Sequence, residues 1–259
     1  MTFRRSLLRV MILGTGTLVP APEHGTSGLV VTAGKDNLLF DGGSGTLYRA
    51  SRLGLDWREM AHIFYTHYHP DHSLDLVSIL FASNYAPPEG RGDDLKIYGP
   101  EGLKDFFAAV SRAWPSVVPK KYNLYLRELT SGESVEGGAG WKVFAAQASH
   151  GDALALAYRV TDSRRSVVYS GDTEYSVALA ELAQGADLII CECSTDDAHK
   201  APGHLSPSGI ARIVEESGVE RVLLTHVYPP FNPEELALQC RRMCGASVEA
   251  ARDMSIYKI

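Results

Sequence analysis

The chain has 259 residues, of which 45% are hydrophobic and 22% charged, and a formal net charge of -6 at pH 7. That length buries a large core without staples, and the composition excludes a disordered or fibrous protein. Phosphate backbones are met with Lys and Arg, so the acidic balance argues against a nucleic-acid-coating protein while leaving room for a local basic patch.

Met1 to Val10 carries Arg4 and Arg5 ahead of an apolar run. Arg9 interrupts the run and no small-residue cleavage site follows, so the segment reads as a first strand and not as a leader. No run of about 18 apolar residues occurs, so no membrane-spanning helix is expected, and the cytoplasm is the expected location. Leu8 to Leu13 is predicted as a strand ending at glycines. Ser27 to Ala33 and Asn37 to Asp41 read as a hairpin around Gly34-Lys35-Asp36. Gly42 to Gly45 breaks the strand and opens a helix running to Arg52. Ala61 to Thr66 is a short buried strand that delivers the chain into His67-Tyr68-His69-Pro70-Asp71-His72, followed by a helix to Asn84.

Ala86 to Asp94 is a loop, Leu95 to Tyr98 a strand and Gly102 to Ala113 a helix. Trp114 to Tyr122 reads as an irregular connection. Lys142 to Ala148, Ala153 to Val160 and Ser166 to Ser170 are strands, and Tyr175 to Ala183 a helix. Leu188 to Cys193 and Arg221 to Thr225 are strands. Between them Ser206 to Ser217 is a helix with Ser206 as N-cap and Gly218 beyond its end. Pro233 to Cys244 is a helix with Glu234 and Glu235 in its first turn. Val248 to Tyr257 is a last strand region. Two β-rich halves with appended helices point to two sheets packed face to face with helices outside, in a single domain over residues 1–259.

The strongest chemical signal is the stretch His67 to His72. Its imidazoles and carboxylate are good zinc ligands, held at the junction of an apolar strand and a helix. Residues 67 and 69 project the same way in an extended segment. His150, Asp172 and His226 each follow an apolar strand. Alone, each reads as structural, and Asp172 as a helix cap. Together they lie at strand C-terminal ends, where open α/β architectures place sites.

The order H-x-H-x-D-H, then His, Asp and His, resembles the metallo-β-lactamase superfamily. The resemblance implies that fold, a four-layer αββα sandwich. It implies that His67, His69 and His150 bind one metal ion, that Asp71, His72 and His226 bind a second, and that Asp172 bridges them. The expected ions are two Zn2+, with Mn2+ or Fe as alternatives at the second site. Leu13-Gly14-Thr15-Gly16-Thr17, Phe40-Asp41-Gly42-Gly43-Ser44-Gly45-Thr46, Ser170-Gly171-Asp172-Thr173 and Leu224-Thr225-His226 are similar to the ribonuclease Z-like branch. Glu192 in Cys191-Glu192-Cys193-Ser194-Thr195 resembles that branch's Glu-Ala-Thr segment, and His204 in Gly203-His204-Leu205-Ser206 its Gly-His-Ser/Thr segment. The likeness implies that Glu192 orients His204 toward a substrate oxyanion or leaving group.

Two departures set the chain apart from the tRNA-processing members. Pro20-Ala21-Pro22-Glu23-His24-Gly25 stands where they carry a Pro-x-Lys-x-Arg-Asn loop. Residues 151–171, 21 in all, separate His150 from Asp172, which leaves no room for a tRNA-gripping arm.

Metal-bound water ionises near pH 7, and the resulting hydroxide attacks phosphorus or carbonyl centres. Asp71 is expected to orient that nucleophile or take its proton, and His204 to protonate the leaving group. Three functions compete: a phosphodiesterase acting on a small phosphodiester or a short RNA or DNA, a carbon-ester hydrolase (lactonase, thioesterase or β-lactam-opening enzyme), and a non-enzymatic metal protein. The all-His/Asp set favours the first, and the β-lactam case is weakened because no cysteine lies in the motifs. Tyr68 is read as packing, with assistance to a carbonyl oxygen as the alternative. Trp114 to Arg127, with Lys120, Lys121, Tyr122 and Tyr125, is read as a loop and edge strand, with a substrate entrance as the alternative. Cys191-x-Cys193 lacks the C-x2-4-C spacing of structural zinc sites, so Cys191, Cys193, Cys240 and Cys244 read as thiols of a reducing compartment, with an extra structural zinc site as the alternative. The expected homo-oligomer, if one forms, is a dimer.

Overall fold

The hydrophobic runs pair into two sheets in the computed structural model, which describes residues 8–259. Arg4 and Arg5 lie outside the described residues. Strands β1 (Arg9–Gly14), β2 (Gly28–Ala33), β3 (Asp36–Phe40), β4 (His62–Phe64), β5 (Leu95–Gly99) and β6 (Leu124–Glu128) lie side by side in chain order. The second sheet holds β7 (Ser134–Glu136), β8 (Lys142–His150), β9 (Ala153–Thr161), β10 (Ser166–Tyr169), β11 (Leu188–Glu192), β12 (Arg221–Thr225) and β13 (Ser247–Ala250), also in chain order. The chain then returns to the first sheet, where β14 (Ile256–Lys258) pairs antiparallel with β1.

Helices α1 (Thr46–Arg52), α2 (Pro70–Ser73), α3 (Asp75–Tyr85) and α4 (Leu103–Ala113) precede β6, and α5 (Val177–Ala183), α6 (Pro207–Ser217) and α7 (Pro233–Met243) follow β10. Side chains of α1, α3 and α4 pack with β1 to β5 in one apolar layer, and those of α5, α6 and α7 with β10 to β13 in another. A third layer fills the space between the sheets, with Phe40, Phe64, Tyr98, Trp141, Tyr158 and Tyr169 at its centre. The result is the αββα sandwich that the sequence resemblance implies. Burial follows from it: β2 has cover on both faces, and all its residues are buried, whereas the edge strand β6 has none fully buried. Phe64 stacks between Phe40 and Tyr98 with ring centroids 5.0 and 4.6 Å apart. Truncating it to Ala would cost about 3–5 kcal/mol.

Two local readings change, and one strand is new. The region Val248 to Tyr257 is two strands in different sheets, because Asp253 turns the chain between them. Its Oδ1 accepts from Thr15 N and Oγ1 at 2.9 and 2.7 Å, and its Oδ2 from Gly25 N at 2.6 Å. Ser206 does occupy the N-cap position of α6, but its hydroxyl donates to Asp197 Oδ1 at 2.6 Å. That carboxylate caps the helix instead, accepting Ser208 N–H at 3.1 Å. The three-residue β7 carries no periodic signal of its own. Among the described residues no helix is long and apolar enough to cross a membrane.

Candidate metal centre

One edge of the sandwich collects the C-terminal ends of β3, β4, β8, β10, β11 and β12. Asp41 follows β3, His67 follows β4, His150 ends β8, Asp172 follows β10, Glu192 ends β11 and His226 follows β12. The sheets are joined at this edge by Leu156 N–H to Thr66 C=O at 2.9 Å and Tyr158 O–H to Tyr65 C=O at 2.8 Å. Asp41 and His226 both leave their strands at φ 55°. That left-handed conformation is uncommon for residues other than glycine and is held here by surrounding bonds. His226, for instance, donates its N–H to Thr15 C=O at 2.6 Å. Gly43 lets α2 come close: a Cβ there would lie 2.0 Å from the Asp71 carbonyl oxygen.

The seven candidate ligands converge. His67, His69, His150 and Asp172 each place a ligand atom within 4.8 Å of the others, and so do Asp71, His72 and His226. Asp172 stands between the groups. Its Oδ2 is 3.8 Å from His67 Nε2, 3.8 Å from His150 Nε2 and 3.4 Å from His226 Nε2, and its Oδ1 is 3.2 Å from His72 Nε2. His150 Nε2 and His69 Nδ1 face each other at 3.2 Å, and His226 Nε2 and Asp71 Oδ2 are also 3.2 Å apart. Asp172 does not cap α5; the Ser176 hydroxyl does, accepting from Leu179 N–H.

The outward ring nitrogens fix the direction of the inward ones. His72 Nδ1 donates to Asp41 Oδ2 at 2.8 Å, and His150 Nδ1 donates to Gly203 C=O at 2.8 Å. His67 Nδ1 meets Thr66 Oγ1 at 3.0 Å, and that hydroxyl donates onward to Asp41. His226 Nδ1 meets Ser194 Oγ at 3.2 Å. A proton on Nδ1 leaves the Nε2 lone pair aimed at the cavity in all four, an arrangement common to metal-binding histidines. His67 Nε2, His72 Nε2 and Asp172 Oδ1 are buried and make no hydrogen bond. Buried polar atoms without a partner are costly, and a divalent cation would satisfy all three, so the donor set fits a metal.

Electrostatics point the same way. Burial opposes a charge on His72, but Asp172 and Asp41 outweigh it and raise its pKa well above the ordinary value. A potential that holds a proton there also favours a cation. His67 is pushed well down by burial and by His72. Burial opposes ionisation of Asp71 as well, yet the bond to His226 and the nearby His72 bring its pKa down to about 2.

Beside these groups lies a second constellation. His204 Nδ1 is 3.0 Å from Glu192 Oε1, and Glu192 is completely buried. Burial lowers the proton affinity of His204, but its bond to Glu192 outweighs that and raises the pKa. Ser194 Oγ donates to Glu192 Oε2 at 2.6 Å and also faces His226 Nδ1, so it ties Glu192 to the candidate ligand His226. Tyr228 turns its ring edge to His204 and His226, with its hydroxyl pushed up to about 12 by burial and by Asp172. Asp41, Thr66, Ser194, Gly203 and Tyr228 were not assigned roles from sequence. Asp41, Ser194 and Gly203 do lie within segments that resemble the ribonuclease Z-like branch, whereas Thr66 and Tyr228 carry no such signal.

Other sequence candidates lie elsewhere. Tyr68 donates its hydroxyl to Pro100 C=O at 2.6 Å and stacks on Phe106, a packing role. In the segment Trp114 to Arg127, Lys120 packs over Tyr85 at the end of α3 and Tyr122 is buried, while Trp114 and Tyr125 are exposed. Cys191, Cys193 and Cys240 are buried free thiols, and no cysteine belongs to a ligand group among the described residues. Residues 162–165 alone join β9 to β10, as a turn in which Asp162 Oδ1 accepts the N–H groups of Arg164 and Arg165.

The family model described as a beta-lactamase superfamily domain matches residues 26–227. Ribonuclease Z of Methanothermobacter thermautotrophicus is 23% identical over 98% of this chain and 97% of its own length. An uncharacterised protein of Mycobacterium leprae is 31% identical over 94% of this chain and 86% of its own. The crystal structure of the metallo-beta-lactamase fold protein YhfI from Bacillus subtilis superposes with a TM-score of 0.84 at 23% identity, covering 98% of this chain and 100% of that one.

Proposed function

Because the chain belongs to the metallo-β-lactamase superfamily, in its ribonuclease Z-like branch, and is a metal-dependent hydrolase, we propose that it is a dinuclear phosphodiesterase. The observation that carries this is the position of Asp172, a single carboxylate between the two ligand groups, whose Oδ2 faces His67, His150 and His226 and whose Oδ1 faces His72. His67, His69 and His150 would hold one ion, Asp71, His72 and His226 the other, and Asp172 both. Two Zn2+ suit the donors best, and Mn2+ or Fe is compatible with the second site. When bound, such a pair supplies Lewis acidity and a water that ionises near neutral pH.

The protein's own groups do the rest. Asp71, ionised at neutral pH, is a hydrogen-bond acceptor that orients the attacking water; its low pKa leaves it a poor proton store. His204, kept protonated by Glu192, donates to the departing oxygen. Tyr228, a neutral phenol, is an available donor beside it.

The substrate we assign is a small phosphodiester or a short, unstructured RNA or DNA. A relative named ribonuclease Z supports the phosphodiester bond. The four-residue turn at 162–165 and the uncharged Pro20-Ala21-Pro22 stretch support a substrate gripped only near its reacting end. The free buried thiols accord with a cytoplasmic setting. The test is turnover of bis(p-nitrophenyl) phosphate by the zinc-loaded protein against a panel of lactones and thioesters, with Asp172→Ala as control. Phosphodiester cleavage absent from the control is expected. Turnover of the carbon esters alone would assign the site to a carbon-ester hydrolase.

A further inference from the structure

We infer that Glu174 is a positioning residue of this centre: through the backbone of Gly203 it fixes the ligand His150 and the proton donor His204 together. The inference rests on the roles just proposed for those two histidines. Glu174 Oε1 accepts the Gly203 N–H at 2.7 Å. The Gly203 carbonyl accepts from His150 Nδ1 at 2.8 Å, and it belongs to the peptide that continues into His204. Gly203 is thus held through both of its backbone groups, one by an exposed carboxylate and one by a buried imidazole.

The local backbone is shaped for that contact. Gly203 sits at φ 81°, and a Cβ on it would lie 3.1 Å from His150 Nδ1 and 3.2 Å from Gly151 N. Only glycine brings the chain this close to the ring without strain. Glu174 is itself anchored to the strand that carries His150. Its N–H donates to Ser149 C=O at 2.6 Å, and Ser149 N–H donates to Thr173 Oγ1 at 2.9 Å. The bonds therefore close a ring from His150 through Gly203, Glu174 and Ser149 back to His150. A second ring shares an edge with it, since Thr173 N–H donates to Glu192 Oε1 at 2.6 Å and Glu192 holds His204. Loss of the Glu174 acceptor opens the first ring at its one carboxylate, a solvent-exposed side chain. The carbonyl that sets the His150 tautomer and direction then loses its restraint.

Partners that orient metal-binding histidines are worth about 10–100-fold in metal affinity. Glu174 acts one bond further out, so the lower end of that range applies. The experiment compares wild type with Glu174→Gln, Glu174→Ala and Glu174→Asp. Gln keeps an acceptor at the same reach, whereas Asp keeps the charge but withdraws the acceptor. The readouts are zinc affinity by competition with a chromophoric chelator, kcat and KM for bis(p-nitrophenyl) phosphate, thermal midpoint, and hydrogen exchange of the Gly203 amide. Glu174→Gln should stay within about twofold of wild type, and Ala and Asp should each lose about tenfold in zinc affinity and in kcat with KM little changed. Their Gly203 amide should exchange faster while the thermal midpoint holds. Should the Ala variant fail to fold, the Asp variant decides alone. Wild-type zinc affinity in Ala or Asp would overturn the inference, and so would a Gln variant as weak as Ala. If wild type binds zinc yet cleaves no phosphodiester, the functional reading fails, and the affinity comparison still decides the role of Glu174.

Discussion

Asp41 Oδ2 accepts a hydrogen bond from His72 Nδ1 at 2.8 Å, and neither side chain is exposed to solvent. The same oxygen accepts the Tyr169 hydroxyl at 2.8 Å, and Oδ1 accepts Thr66 N–H at 2.8 Å. His72 is thereby aimed at Asp172 by a carboxylate that is itself locked from both sheets. Asp41→Asn keeps the shape but removes the charge. Zinc affinity at the Asp71–His72–His226 group should fall about 10–100-fold, as read by calorimetric titration, with the other group little affected. Equal loss at both groups would show that Asp41 braces His67 through Thr66 as strongly as it braces His72.

Ser194 is the hinge between two parts of the chemistry. Its hydroxyl donates to Glu192 and faces His226 Nδ1. Ser194→Ala leaves that imidazole N–H and one carboxylate oxygen without their shared partner. An unmade buried hydrogen bond costs about 1–3 kcal/mol, so kcat on bis(p-nitrophenyl) phosphate should drop about 5–100-fold, more than KM moves.

His204 sets a pH limb with a definite sign. Glu192 raises its pKa against the effect of burial, so the donor is present below that raised value and lost as pH rises through it. The rate profile should therefore fall on the alkaline side. Glu192→Gln removes the cause of the upward shift and should move this limb to lower pH. His204→Asn should flatten it. A limb that stays in place in both variants would remove His204 from the proton-donor role.

Arg91 offers a test of the fold apart from the chemistry. It is 1% exposed and donates to the carbonyls of Trp57, Arg58 and Met60 and to Ser83 Oγ. Arg91→Ala strands those acceptors and leaves a hole under the connection from α1 to β4. The expected loss is about 3 kcal/mol in denaturant unfolding, with kcat unchanged for the molecules that remain folded.

How much of this was legible in the sequence depends on how local the signal is. The stretch His67 to His72 is contiguous, and His150, Asp172 and His226 each end an apolar run, so their strand-end positions could be read without coordinates. The absent arm was legible as a short spacing. The parts that hold the ligands in place were not. The Gly203 carbonyl is backbone and has no letter of its own, and Ser194 looks like any serine in a loop. Asp41 becomes visible as a partner of His72 only once β3 and α2 are side by side. The same holds for the fold. Periodicity marked Val248 to Tyr257 as extended, but the step from one sheet to the other depends on Asp253 finding Thr15 and Gly25 across the chain. The cap of α6 likewise comes from Asp197, nine residues before Ser206 in the chain.

The most direct test of the account is to strip the protein of metal, return zinc in measured equivalents, and follow bis(p-nitrophenyl) phosphate hydrolysis at each step. A dinuclear phosphodiesterase predicts activity that levels off at two equivalents and is absent throughout in Asp172→Ala. A plateau at one equivalent, or two bound equivalents with no phosphodiester cleavage, would contradict it.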